Sequence, residues 1–177
     1  MFLNELITPT NIVTHKIIKE QQGDLEEKEK TLQQYQQDSF DAYLSGKKKE
    51  FVSLASELGE NVLCGICGLN GFKSLTFENV THIGSRCGHS INNHNEDLLE
   101  SQRPTFIFTK PVTIDQDAFE GSMNVNYEFR GGIVEMSPSV FYGAKNVTVK
   151  VAGKIPSGAP WDDGGGVNVK VIQYEES

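Results

Sequence analysis

The character of the chain changes near residue 60, and that change restricts the architectures open to it. Before residue 60 the straight-chain helix formers Lys, Glu and Gln dominate. After it they thin out, and β-branched and aromatic residues arrive in short runs punctuated by glycine. The expected class is therefore α+β, an N-terminal coiled-coil-like helix followed by a β-rich domain. The boundaries read as an extended arm over 1–12, a helical and coiled-coil-compatible segment over 13–59, a Cys/His-containing connector over 60–103 and a β-rich domain over 104–177.

The helical expectation rests on spacing. Pro9 stops a helix from running through from the N-terminus, and Thr10 or Asn11 suits a cap. Apolar residues then recur at Ile18, Leu25 and Leu32, seven apart, with Tyr35, Phe40 and Tyr43 beyond. That spacing lays one apolar stripe along a polar helix and suits a coiled-coil seam. Gln21 and Lys28 occupy the places of a second apolar row, so a lone helix lying on its own globular domain is the competing arrangement. A second short helix is expected from Glu50 to Leu58, with Phe51, Leu54, Ala55 and Leu58 on one face and Gly59 ending it.

Beyond residue 60, strands are expected near Ser74–Phe77, Thr105–Phe108, Pro111–Ile114, Val125–Phe129, Ile133–Met136, Val147–Val151 and Val167–Ile172. The last alternates cleanly, with Val167, Val169 and Val171 on one face. Asn92 to Arg103 reads as a polar loop or one short turn of helix.

Charge narrows the partners. The net charge is −8, and neither part is basic: residues 1–60 hold 7 Lys/Arg against 11 Asp/Glu, and residues 61–177 hold 9 against 13. A phosphate backbone is bound by clustered Lys and Arg, so no nucleic-acid partner is expected. Lys47, Lys48 and Lys49 form the only basic run, which suits a solvated helix end. No stretch approaches the roughly 20 apolar residues of a membrane span, and no signal peptide is read at the N-terminus. The expected location is a virion if the protein is viral, and the cytoplasm otherwise.

The runs Phe108 to Asp115, Asn124 to Glu135 and Tyr142 to Gly153 share a strand, glycine, strand phrasing. Together they resemble the opening coils of a pectate-lyase-like right-handed parallel β-helix, an architecture common in bacteriophage tailspikes and polysaccharide-active enzymes. The resemblance covers about residues 104–155. Glycine supplies the positive φ that tight corners need, and inward Val, Ile and Phe recur as stacked coils require. A solenoid needs about three or more repeats, so the alternatives are a stubby solenoid closed by trimerisation and an ordinary sandwich or jelly roll.

Three cysteines exclude a full disulfide framework within one chain. Cys64 and Cys67 form a C-x-x-C pair, followed after 19 residues by Cys87 and His89, with His94 as an alternate. Two thiolates at a tight turn plus a later Cys/His pair are a tetrahedral zinc pattern. The phrase is similar to the first half of a RING finger, but the later Cys pairs of a RING are missing. The competing reading makes the cysteines small buried hydrophobes, with the histidines on surface loops. Asp162 and Asp163, between Trp161 and a run of three glycines, are weak catalytic candidates if a turn brings the carboxylates together. Trp161 is the candidate sugar-stacking residue, against the alternative that it tucks onto the core.

The functional expectation is a virion-associated structural protein, fibre- or spike-like. It would oligomerise through its N-terminal helix, with a homotrimer favoured, and anchor or present the β domain to other virion proteins. The alternatives are a small polysaccharide-active β-helix enzyme using Asp162 and Asp163, and a zinc-stabilised protein-binding adaptor.

Overall fold

In a computed structural model the described residues are 16–20, 28–29, 49–53, 56–60, 63, 72–91, 98–157 and 167–175. The strands are β1 (Lys16–Glu20), β2 (Lys28–Glu29), β3 (Lys49–Ser53), β4 (Phe72–Phe77), β5 (His82–Ile83), β6 (Thr105–Phe108), β7 (Val112–Ile114), β8 (Asn126–Phe129), β9 (Ile133–Met136), β10 (Lys145–Ala152) and β11 (Val167–Tyr174). Among the described residues there is no α-helix; the one helical element is a single 3-10 turn, Glu100–Gln102.

This corrects the α+β expectation. Within the segment read as a coiled-coil helix, β1 pairs antiparallel with both β2 and β3. β3 occupies the first part of the second expected helix, Glu50 to Ser53, and Leu58 bridges in parallel to Ile83. The rest of 13–45 lies outside the described residues. Helix propensity is a weak prior that tertiary pairing overrides. Here β3 lies in parallel register with β4, matching Phe51 to Leu75 and Ser53 to Phe77. The seven strands read beyond residue 60 each overlap an observed strand, several of which run longer.

The strands form two sheets. The larger has the order β11-β10-β8-β6-β4-β3-β1-β2, and every pair from β3 to β11 is parallel. The smaller has the order β5-β7-β9, also parallel. The chain visits the two sheets alternately and then returns to the first, so each circuit lays one strand beside its predecessor. Register shows the period: Phe106 pairs with Tyr127, Tyr127 with Val149, and Val149 with Val171, at intervals of 21, 22 and 22 residues. The step from Leu75 to Phe106 is 31, because that circuit also carries the segment around 92–103.

A third side is built from stacked turns. Gly88 N donates to Ala118 O at 2.6 Å and Ser90 N to Glu120 O at 2.7 Å. One circuit on, Phe119 N donates to Val140 O at 2.9 Å and Gly121 N to Tyr142 O at 2.8 Å. Backbone groups of these turns thus meet partners one coil away, as buried amides must.

The core fills the space between the three sides. Successive strand residues face opposite ways, so parallel register stacks like upon like. Phe77, Phe108 and Phe129 form one inward column, with ring centroids 4.9 and 5.1 Å apart and planes 12° from parallel at each step. Phe106 and Tyr127 form the next, 5.6 Å apart. Phe119 and Phe141 enter from the turn side and contact Tyr127 at 4.5 and 5.3 Å. All seven rings are fully buried.

The corners repeat with the coils. Asn124, Asn146 and Asn168 all have positive φ, between 54 and 58°. Asn146 Nδ2 donates to Asn124 Oδ1 and Asn168 Nδ2 to Asn146 Oδ1, each at 2.9 Å, so the side chains form a ladder across three coils. Asparagine tolerates the left-handed region because its short amide bonds locally. Gly131 answers a different need. A Cβ there would collide with the carbonyl group of Lys110, so only glycine lets the two successive corners touch.

Candidate functional site

Of the residues singled out in the sequence, Cys64, Cys67, His94, Trp161, Asp162 and Asp163 lie outside the described residues. Cys87 and His89 are both placed, in the turn 85–90. Cys87 is fully buried and belongs to the hydrophobic core. Its carbonyl accepts a hydrogen bond from Leu63 N at 2.7 Å. His89 is partly exposed. Its Nδ1 lies 3.1 Å from Ser90 Oγ, and its Nε2 is 3.8 Å from Glu120 Oε2. Cys87 is thus buried in the core, while Cys64 and Cys67, expected beside it, lie outside the described residues. Among the described residues no three His, Cys, Asp or Glu side chains cluster as metal ligands.

Two polar surfaces come together that the linear sequence does not announce. The first is the outer face of the larger sheet. Its outward columns are Ser74, Thr105, Asn126, Thr148 and Lys170, and beside them Thr76, Ile107, Glu128, Lys150 and Ile172. The segment 98–103 is strapped across them. Asn126 Nδ2 donates to Glu100 O at 2.8 Å, and Lys170 Nζ bonds Glu100 Oε2 at 3.1 Å. The 3-10 turn holds the strap in shape, with Leu99 N donating to Gln102 Oε1 at 3.0 Å. The hydrogen bond from Lys170 holds the Glu100 carboxyl below its ordinary value, against a smaller opposing effect of desolvation. Ser74, Ile107 and Thr148 are buried here although they point away from the core.

Beside the strap lie two clefts. One, of about 350 Å³, is lined by Arg103, Ser101 and Thr105 and by the pairs Glu50 with Lys73 and Glu128 with Arg130. The other, of about 510 Å³, is lined by Leu99, Glu100, Ser101, Thr105, Asn126 and Lys150. Each contributes a residue with one buried polar atom that has no partner, Arg103 Nε in the first and Asn126 Oδ1 in the second.

The second surface is an open groove of about 700 Å³ along the smaller sheet, lined by Thr113, Asp115, Glu135 and Ser137 among others. His82 Nε2 lies 3.0 Å from Asp115 Oδ2 at its edge. Both side chains are more than 40% exposed, so the pair contributes little to stability.

Sequence reasoning passed over Arg103 and Asn126. Asn126 was legible as a strand residue, and its outward direction follows from Val125 and Tyr127 facing in. Arg103 carried no signal, because apart from its own neighbours and β6 its surroundings come from β3 and β4, 29 or more residues earlier, and from β8 and the corner after it, 25 or more residues later. No helix among the described residues is long and apolar enough to cross a membrane. Comparisons with protein-family models, with curated proteins and with solved structures find no match to this chain.

Proposed function

We propose that this protein is a structural module of a spike- or fibre-like assembly, and that its body is a short right-handed parallel β-helix. The observation that carries the reading is the in-register stack of parallel strands repeating at 21 or 22 residues. Three features independent of one another keep that period from residue 106 onward: the ring pairs Phe106 with Tyr127, Phe108 with Phe129 and Phe119 with Phe141, the asparagine ladder, and the positive-φ glycines Gly132 and Gly153. A stack of this kind resists bending, because each coil is held to the next by a full row of backbone hydrogen bonds and by close-packed rings. Such a body suits a rigid projecting part, and the resemblance to tailspike coils points to a virion as its setting, with other virion proteins as its partners.

Oligomerisation through an N-terminal helix is no part of this reading, since β1, β2 and β3 occupy described portions of that segment. Association as a homotrimer is retained, now through surfaces of the β body. The enzymatic alternative would depend on Asp162 and Asp163, outside the described residues. Sedimentation equilibrium tests the proposal. A trimer at micromolar concentration supports it, and a strict monomer up to the highest soluble concentration contradicts it.

A further inference from the structure

We propose that the cleft of about 350 Å³ beside the 98–103 strap is a binding site for a small hydroxylated oxyanion, with Arg103 as the anchoring cation. Charge accounting around the cleft leads there. Its lining holds two carboxylates and three cationic side chains. Lys73 Nζ sits 3.2 Å from Glu50 Oε1, and Arg130 Nε sits 2.8 Å from Glu128 Oε1. Those four charges compensate one another in pairs. Arg103 is left over, with no ion-pair partner among the described residues, and its Nε is buried without an acceptor.

Because that Nε is screened from the cleft by protein, a ligand there would be met by the outer end of the guanidinium. Guanidinium is also the side chain whose planar fork fits carboxylate or phosphate with two parallel hydrogen bonds. One water occupies roughly 30 Å³ of liquid, so a cleft of about 350 Å³ has room for a ligand of several heavy atoms. Ser74, Ser101 and Thr105 add hydroxyls around the same space, which suits a ligand with hydroxyl groups of its own. The walls come from four consecutive strands of the sheet, β3, β4, β6 and β8, so the site stands on a rigid platform with the strap as its rim.

Isothermal titration of the full chain at low ionic strength, with glycolate and with inorganic phosphate as separate probes, tests this. Chloride at matched ionic strength is the reference. Saturable binding of either probe is expected, with at least about ten-fold weakening in Arg103→Gln and a smaller weakening in Arg103→Lys, which keeps the charge and loses the fork. Glycolate alone would assign a carboxylate ligand and phosphate alone a phosphorylated one; either supports the site. Circular dichroism reports whether Arg103→Gln folds, and Arg103→Lys carries the comparison if it does not. No saturable binding, which is the result if the cleft holds water only, overturns the proposal. So does binding that is equal for chloride or unchanged in both Arg103 variants.

Discussion

At position 127 a phenol sits among Phe106, Phe119 and Phe141, with its hydroxyl 2.7 Å from Ser122 Oγ, which in turn donates to Phe119 O at 2.7 Å. Burial pushes its ionisation far above the ordinary tyrosine value, the Ser122 hydrogen bond opposes that rise, and nearby Cys87 adds to it. A raised folded value means that the neutral phenol's contribution is complete below about pH 10, the ordinary unfolded value, and is lost as pH rises beyond it. Tyr127→Phe is expected to cost about 0.5–1.5 kcal/mol at neutral pH and to flatten the fall in stability above pH 10. Denaturant midpoints of both proteins at pH 8 and pH 11 check this. The asparagine ladder makes a second prediction. Asn146→Gly removes the Cβ from a left-handed backbone but loses two side-chain bonds, whereas Asn146→Ala loses the same bonds and keeps a Cβ there without the amide that offsets its strain, at about 1–2 kcal/mol. The alanine variant should therefore melt below the glycine variant, with both below the parent.

The corners and the strap decide how the strands fit together. The corner after β8 touches the corner after β6 at Gly131, so Gly131→Ala must push two backbones apart. It should destabilise by more than the roughly 0.5–1 kcal/mol that alanine gains over glycine in ordinary backbone, and thermal melting measures the sign. The strap is tied by Glu100 to Lys170 on β11. Because the folded carboxyl value is lowered, the tie is present above the ordinary carboxylate range and is lost as pH falls through the folded value. Both side chains are well exposed, so its worth is about 0–1 kcal/mol. Amide exchange across 98–103 should quicken in Lys170→Met at pH 7, and the two proteins should converge once pH falls below the folded carboxyl value.

What was legible in the sequence follows from the same physics. Strand β11 shows its alternation openly, because Val169 and Val171 pack on the core while Asn168 and Lys170 are exposed. The segment before residue 60 did not, because Lys, Glu and Gln suit a helix in isolation and the strand identity of β1 and β3 comes from pairing with residues far along the chain. The coil period was hidden for a related reason. The 31-residue step between Leu75 and Phe106 breaks the spacing that Phe106, Tyr127, Val149 and Val171 keep. The candidate site was illegible in both directions: six of the residues nominated for chemistry lie outside the described residues, Cys87 is a core residue, and the unpaired Arg103 gains meaning only from neighbours on other coils.

For the whole molecule, the stack of parallel coils is the claim on which the proposed role depends. Thr76, Ile107, Glu128, Lys150 and Ile172 stand in one outward column on five consecutive strands. Removing a ring from the neighbouring inward column should loosen several coils at once, so Phe108→Ala is expected to cost about 3–5 kcal/mol in a single cooperative transition. The most direct test is a distance. With Cys64, Cys67 and Cys87 replaced by alanine, spin labels attached through Thr76→Cys and Ile172→Cys span four ladder steps. At about 4.8 Å a step their backbones should lie about 19 Å apart. Pulsed electron spin resonance giving a narrow distribution consistent with that value, after allowance for the label arms, is the predicted result. A broad distribution, or one centred well beyond about 30 Å, would contradict the stack.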